Sequence, residues 1–238
     1  MRSIGTEKNK KIKKQNLHPS RERKKYFGEL VQIDASVHLW FGTFKTYLHA
    51  AIDDATGNVL GAYFDTGETI KGYYEMTYQI LLNYGIPMAF YSDRRTIFEY
   101  YSKKMVNIEK DTFTQFQAAC DKLGIEIITT SIAQAKGKIE HMNKTLQGRL
   151  LNDIKRFNIK TYEELNKWFN KYYIKYINNK FAYKPKENET EFIPLGKTDL
   201  SKIMCIKDER TILNGNMISY KNHFYRLKAN SYAGQLLQ

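Results

Sequence analysis

The chain has 238 residues, 42% of them hydrophobic and 14% aromatic, with a net charge of +13. That is enough for one sizeable core plus a small second unit. No apolar run reaches the length of a membrane span, the N-terminus is too charged for a signal peptide, and Cys120 and Cys205 form no CxxC pair. A reduced, cytoplasmic setting is expected.

Residues 1–25 hold ten Lys/Arg against two Glu, a net +8. They lack an apolar period, so 1–27 reads as a basic arm or linker. A basic arm beside a mildly basic body fits a polyanion such as nucleic acid; a solvated tail is the plainer alternative. Strands are expected at 29–36, 44–52 and 58–65, with Asp54-Ala55-Thr56-Gly57 as a hairpin turn. A helix fits 69–84, burying Tyr73, Met76, Tyr78, Ile80, Leu81 and Tyr84. Gly85-Ile86-Pro87 stops it and opens a fourth strand that ends at Asp93.

Residues 94–111 show no clear period and read as a loop or insertion. A helix at 112–123 is closed by Gly124, followed by a strand at 125–129. Helices follow at about 138–156 and 161–178, the second opened by a capping box at Thr161. Residues 184–204 read as a connector. A small β unit is expected over 205–238, with segments at 211–213, 217–220 and 223–227 and a turn at Asn214-Gly215. Three antiparallel strands followed by β-α-β units give an α/β fold: a mixed five-stranded sheet flanked by helices, the ribonuclease H-like layout, over 28–183.

Three acidic residues stand out in this order. Asp34 ends an apolar strand (Leu30-Val31-Gln32-Ile33-Asp34), Asp93 ends the fourth, and Glu140 opens the helix after the fifth. Carboxylates so placed can converge on divalent cations and serve phosphodiester chemistry. Each has a plainer reading: Asp34 as a backbone-bonded strand end, Asp93 paired with Arg94 or Arg95, Glu140 paired with Lys144. On the Glu140 helix, Ile139, Met142, Leu146 and Leu150 form the apolar stripe, and Glu140, Asn143, Lys144 and Gln147 are expected on the polar face. Asp53 and Asp54 read as turn residues. His38, His49 and His141 have no metal-ligand spacing. The run from Trp168 to Tyr173 fits helix packing.

From His18 to about Leu195 the chain resembles the catalytic core of insertion-sequence transposases of the DDE/retroviral-integrase superfamily, most like the ISNCY-type group. The resemblance rests on His18-Pro-Ser-Arg-Glu-Arg, Gly28-Glu-Leu-Val-Gln-Ile-Asp34-Ala-Ser and Ile52-Asp-Asp-Ala-Thr-Gly57. It continues through Tyr91-Ser-Asp93-Arg, Gln134-Ala-Lys-Gly-Lys-Ile-Glu140 and Asn143-Lys-Thr-Leu-Gln147. Ala35 stands where Gly is frequent in such proteins, Ala133 where Pro is frequent, and 94–111 lengthens the spacing between Asp93 and Glu140.

The resemblance implies that Asp34, Asp93 and Glu140 are the catalytic and metal-binding triad for two Mg²⁺ ions, with Mn²⁺ able to substitute. It implies that Gln134, Lys136, Lys138, Asn143, Lys144 and Arg94 contact transposon-end and target DNA. The implied activity is strand cleavage and strand transfer by a homo-oligomer on DNA, in the bacterial nucleoid. Whole transposases of this kind also carry an N-terminal helix-turn-helix region. This chain begins in the linker after it, and its β unit stops early, so a fragment of an element is expected. Two other readings stay open at this stage: a non-catalytic DNA-binding remnant, and a nuclease of the same fold.

Overall fold

The computed structural model of the chain describes residues 22–42, 44–93, 106–130, 137–208 and 210–228, with the backbone alone at Asp93, 106–114 and Thr130. Five strands form one sheet: β1 (Val31–His38), β2 (Thr46–Asp53), β3 (Val59–Asp65), β4 (Ala89–Asp93) and β5 (Glu126–Thr130). Their order across the sheet is β3-β2-β1-β4-β5. The β1–β2 and β2–β3 pairs are antiparallel, whereas β4 lies parallel to both β1 and β5. This is the ribonuclease H-like arrangement, with β1 at its centre.

The sheet is buried on both faces, and the alternation of side chains along each strand assigns them. On one face Val31, Ile33, Ala51, Leu60 and Phe90 meet α1 (Ile70–Asn83) and α2 (Val106–Leu123), through Tyr73, Met76, Ile80, Phe116 and Leu123. On the other, Leu48, Ala50, Ile52, Ala62 and Phe64 meet α3 (Gly137–Arg156) through Ile139, Met142, Leu146 and Leu150. A central strand covered on both sides must be nearly continuous in burial. Val31, Gln32 and Ile33 accordingly are all buried, including the glutamine.

α1 starts where expected: Thr69 caps it, its hydroxyl accepting from the Gly72 backbone N–H at 3.0 Å and donating to Asp65 at 2.6 Å. Tyr78, expected inside, is 42% exposed, because the inward stripe already runs through Tyr73, Met76, Thr77, Ile80 and Leu81. Gly72 lies against the His49 ring, where an added Cβ would fall 2.3 Å from Cε1. α2 begins at Val106, inside the stretch read as loop, since its first turns are polar and carry no periodic signal.

Beyond α3, the chain runs through α4 (Tyr162–Trp168), a π-turn (Phe169–Tyr173) and α5 (Ile174–Phe181). The buried row Leu165, Phe169, Tyr173, Ile177 repeats every fourth residue. In a straight α-helix such a row rotates by about 40° per step. The π-turn, closed by the Ile174 N–H on the Phe169 carbonyl, winds less tightly and brings the row back onto the sheet. The expected cap is present in a shifted form: Thr161 Oγ1 accepts from the Glu164 N–H at 3.2 Å, and Glu164 reaches back to the N–H of Lys160, the residue before the cap, at 2.9 Å.

The stretch 184–204 straps the α1 side of the molecule. Phe192 packs edge-on against Phe27 at 4.9 Å and stacks on Tyr84 at 5.7 Å, while Leu200 is buried in the same core. Past it, β6 (Met217–Tyr220) and β7 (His223–Arg226) form a hairpin. Its turn residues Lys221 and Asn222 both have positive φ, 49° and 64°, the geometry that matches the twist of paired strands. The segment expected at 211–213 contributes only the Leu213–Met217 bridge.

Candidate active site

The parallel β1–β4 ladder pairs Val31 with Phe90 and Gln32 with Tyr91. The paired register ends there, two residues short of Asp34 on β1 and two short of Asp93 on β4. Asp93 closes β4, at the carboxyl end where open α/β sheets place their sites, whereas Asp34, expected to end its strand, lies inside β1 (Val31–His38). The Asp93 side chain lies outside the described residues, as do Arg94, Gln134 and Lys136. Among the described residues no group of three His, Cys, Asp or Glu gathers to hold a metal ion.

α3 reaches Asp34 from the face of the sheet that it covers. Asn143 donates from Nδ2 to Asp34 Oδ2 at 3.1 Å. Asp34 is half-buried, whereas Glu140 and Lys144 are exposed. Glu140 precedes Asn143 by three residues, one turn along the helix. The Asn143 amide therefore clamps β1 to the turn of α3 that carries Glu140.

Asn143 corrects an expectation: it is only 7% exposed, not on the solvated face. It follows Ile139 by four residues and so lies beside the buried stripe, a relation that the sequence held. Its Oδ1 is buried without a hydrogen-bond partner among the described residues.

A second polar cluster fixes the start of α3. Asp54 is fully buried. Its Oδ1 accepts from Gln32 Nε2 at 2.7 Å and pairs with Lys138 Nζ at 2.9 Å, and its Oδ2 accepts from the Lys24 N–H at 2.8 Å. Lys138 Nζ also donates to the Asp54 carbonyl. Gln32 Oε1 receives the Ile139 N–H at 3.4 Å. Lys138, expected at a phosphate, is thus held by Asp54 in this structure.

Asp53 beside it is fully buried too. It accepts from the Gly28 N–H at 2.9 Å and from the Thr56 N–H and hydroxyl, each at 2.7 Å. Burial raises its carboxyl above the ordinary carboxylate range, against the pull of those donors. Sequence reasoning took both aspartates for simple turn residues. The missed signal was Thr56 three residues after Asp53, a local hydrogen-bond partner just past the apolar run Ala50-Ala51-Ile52.

His49 lies on the opposite face of the sheet. Its Nε2 accepts from the Thr69 N–H at 3.2 Å, and burial lowers its pKa to about 4. His141 is exposed beside Glu140.

No protein-family model matches the chain. Over 209 residues it is 46% identical to the transposase for insertion sequence IS1202 of Streptococcus pneumoniae, a match covering 88% of this chain and 44% of that protein. The chain is related to insertion-sequence transposases. A second relative is y4bF of Sinorhizobium fredii, whose own designation as a transposase is provisional. It is 32% identical over 221 residues, which is 91% of this chain and 48% of y4bF. The chain thus spans about half the length of both transposase relatives.

Solved structures with a similar backbone include the simian T-cell lymphotropic virus intasome in complex with a PP2A regulatory subunit. That likeness has 18% identity and a TM-score of 0.48, and covers 65% of this chain and 54% of that one. The trimeric form of the HTLV-2 integrase catalytic core with magnesium is 19% identical with a TM-score of 0.45, over 62% and 87% of the two chains.

Proposed function

We propose that this chain is the catalytic core of a DNA transposase, cutting and joining DNA strands with Asp34, Asp93 and Glu140 as its acidic triad. The observation that carries the reading is the Asn143–Asp34 hydrogen bond at 3.1 Å. It ties the turn of α3 bearing Glu140 to the strand bearing Asp34, in a chain related to transposases. The donor set suits the cofactor, since hard carboxylate oxygens select Mg²⁺ or Mn²⁺ over softer metals. When bound, such ions supply Lewis acidity at the attacking and leaving oxygens of a phosphodiester.

The protein's own contribution is orientation. Asn143 fixes the Asp34 carboxylate. The Gln32–Asp54–Lys138 cluster fixes the first turn of α3 and, with it, the backbone of Glu140. Lys144, exposed one turn past Glu140, places positive charge where a phosphate backbone would pass; contacts of this kind position DNA without reading its sequence. Gln134, Lys136 and Arg94 are assigned the same role. Transposon ends and target DNA are the proposed substrates, a multimer the proposed acting form, and the reducing cytoplasm its place. Among the described residues no helix is long and apolar enough to cross a membrane.

The test is a labelled duplex carrying the element's terminal sequence, incubated with Mg²⁺ or Mn²⁺. The wild-type chain is expected to nick it, and Asp34→Ala to bind it without nicking. Cleavage that survives Asp34→Ala would sink the triad. Binding with no cleavage by the wild-type chain would favour a non-catalytic DNA-binding role, and preferential cleavage of RNA–DNA hybrids a cellular nuclease.

A further inference from the structure

A cleft of about 480 Å³ opens on the flank of α3, between its first two turns, the β2–β3 turn and the end of α5. It is distinct from the Asp34 site, because it is lined by Lys138, His141 and Thr145 rather than Asn143. Its floor is apolar: Ile52, Met142 and Ile177 are each at least nine-tenths buried. Its rim is cationic and aromatic. Arg23 lies over the Tyr183 ring at 3.9 Å from the centroid, and Lys180 and Phe181 complete the wall. None of its lining residues is acidic.

Tyr183 is held in place although its side chain is largely open. Its N–H donates to the Thr56 carbonyl at 2.8 Å, which anchors it to the turn that Asp53 organises. The residue is 58% exposed. Gly57 and Gly137 line the cleft without adding bulk. The sequence leading into Arg23 belongs to the basic run, net +8 over residues 1–25.

We propose that this cleft binds an unpaired segment of a polynucleotide, one base stacking on the Tyr183–Arg23 pair while Lys180 and Arg23 meet the adjoining phosphates. The chemistry is that of a single-strand site: a fixed aromatic plate, cations along one edge and an apolar floor. Arginine stacks on a base as well as on tyrosine. The volume falls in the range of small-ligand sites, about 300–1,000 Å³. A peptide of acidic character would find the same cations, but a flat ring already faced by guanidinium favours a second flat ring. The proposal deepens the transposase reading by giving the flank of the catalytic helix a strand to hold.

The experiment measures fluorescence polarisation of labelled oligothymidine and of a matched duplex with the full chain, without divalent metal. The wild-type chain is expected to bind the single strand. Tyr183→Ala should weaken that binding about tenfold or more, in line with the loss of one base stack, while Tyr183→Phe retains it. Lys180→Ala should flatten the salt dependence. Melting curves check that the variants fold. The proposal falls if the wild-type chain ignores the single strand, or if Tyr183→Ala binds it undiminished. Cleavage by a wild-type chain whose binding is indifferent to Tyr183 sinks the cleft alone. Tyr183-dependent binding by a chain that never cleaves sinks the catalytic reading alone and leaves the cleft standing.

Discussion

Two pairs of carboxylates flank β1, one at its amino end and one further along it and in α3, and they differ sharply in burial. Asp53 and Asp54 are fully buried, and backbone and side-chain donors converge on each. Asp34 and Glu140 are half-buried and exposed, with the Asn143 amide on Asp34. A buried carboxylate such as Asp54, with donors from three chain segments, is a joint: removing it strands its partners in a dry environment. A carboxylate left within reach of solvent is available to chemistry. The burial difference, rather than the residue type, separates this framework pair from the proposed site.

That contrast can be broken most forcefully at Asp34. Asp34→Asn should lower duplex cleavage by about a thousandfold or more, since the electrostatic help lost is several kcal/mol. The melting temperature should stay within a few degrees of wild type. A large loss of stability with residual cleavage would show Asp34 to be a joint like its neighbours. The mirror experiment is Asp54→Ala, which leaves Gln32 Nε2 and the Lys24 N–H without their acceptor and takes the carboxylate away from Lys138. It should cost about 3 kcal/mol of folding free energy in denaturant unfolding. A neutral result there would show that the cluster is not what holds the first turn of α3.

His49 sharpens the comparison on the far side of the sheet, where burial holds a base neutral. Its folded pKa is lowered to about 4 from 6.5. The unfolded chain therefore takes up a proton that the folded one refuses between those values. Stability from this group is complete above pH 6.5, declines as pH falls and is lost near pH 4, by up to about 3 kcal/mol. Unfolding curves at pH 7 and pH 4.5 should show the decline, and His49→Gln should flatten it. The smallest effect is expected at Asn143, which touches Asp34 without being part of the triad. Asn143→Ala should weaken Mn²⁺ binding by calorimetry about 10–100-fold, as loss of an orienting partner typically does, with little change in melting temperature. Unchanged Mn²⁺ affinity would remove its orienting role.

Much of the framework was legible before any coordinates. The five strands were readable because apolar runs of this length sit between strong breakers such as Asp54-Ala-Thr-Gly57 and Gly85-Ile-Pro87. The cap at Thr161 was a local signature and behaves as one. Where reading failed, the deciding interaction was distant in sequence. Asn143 looks polar on a helix wheel until Asp34, 109 positions away, gives its amide a buried partner. Lys138 looks like a solvent-facing cation until Asp54, 84 positions away, is found beneath it. Val106 opens a helix that its polar first turns did not announce. One helix was expected over 161–178, but the π-turn that keeps Leu165, Phe169, Tyr173 and Ile177 inward follows only from the sheet they cover.

The linear order of residues determined the secondary structure, the sheet connectivity it implied and the acidic residues worth watching, because periodicity, turn chemistry and strand-end position are properties of neighbours along the chain. Which carboxylates are sealed and which stay open was settled only by folding. Desolvation and donor supply depend on what other segments bring to the same point, and the chain does not record that locally.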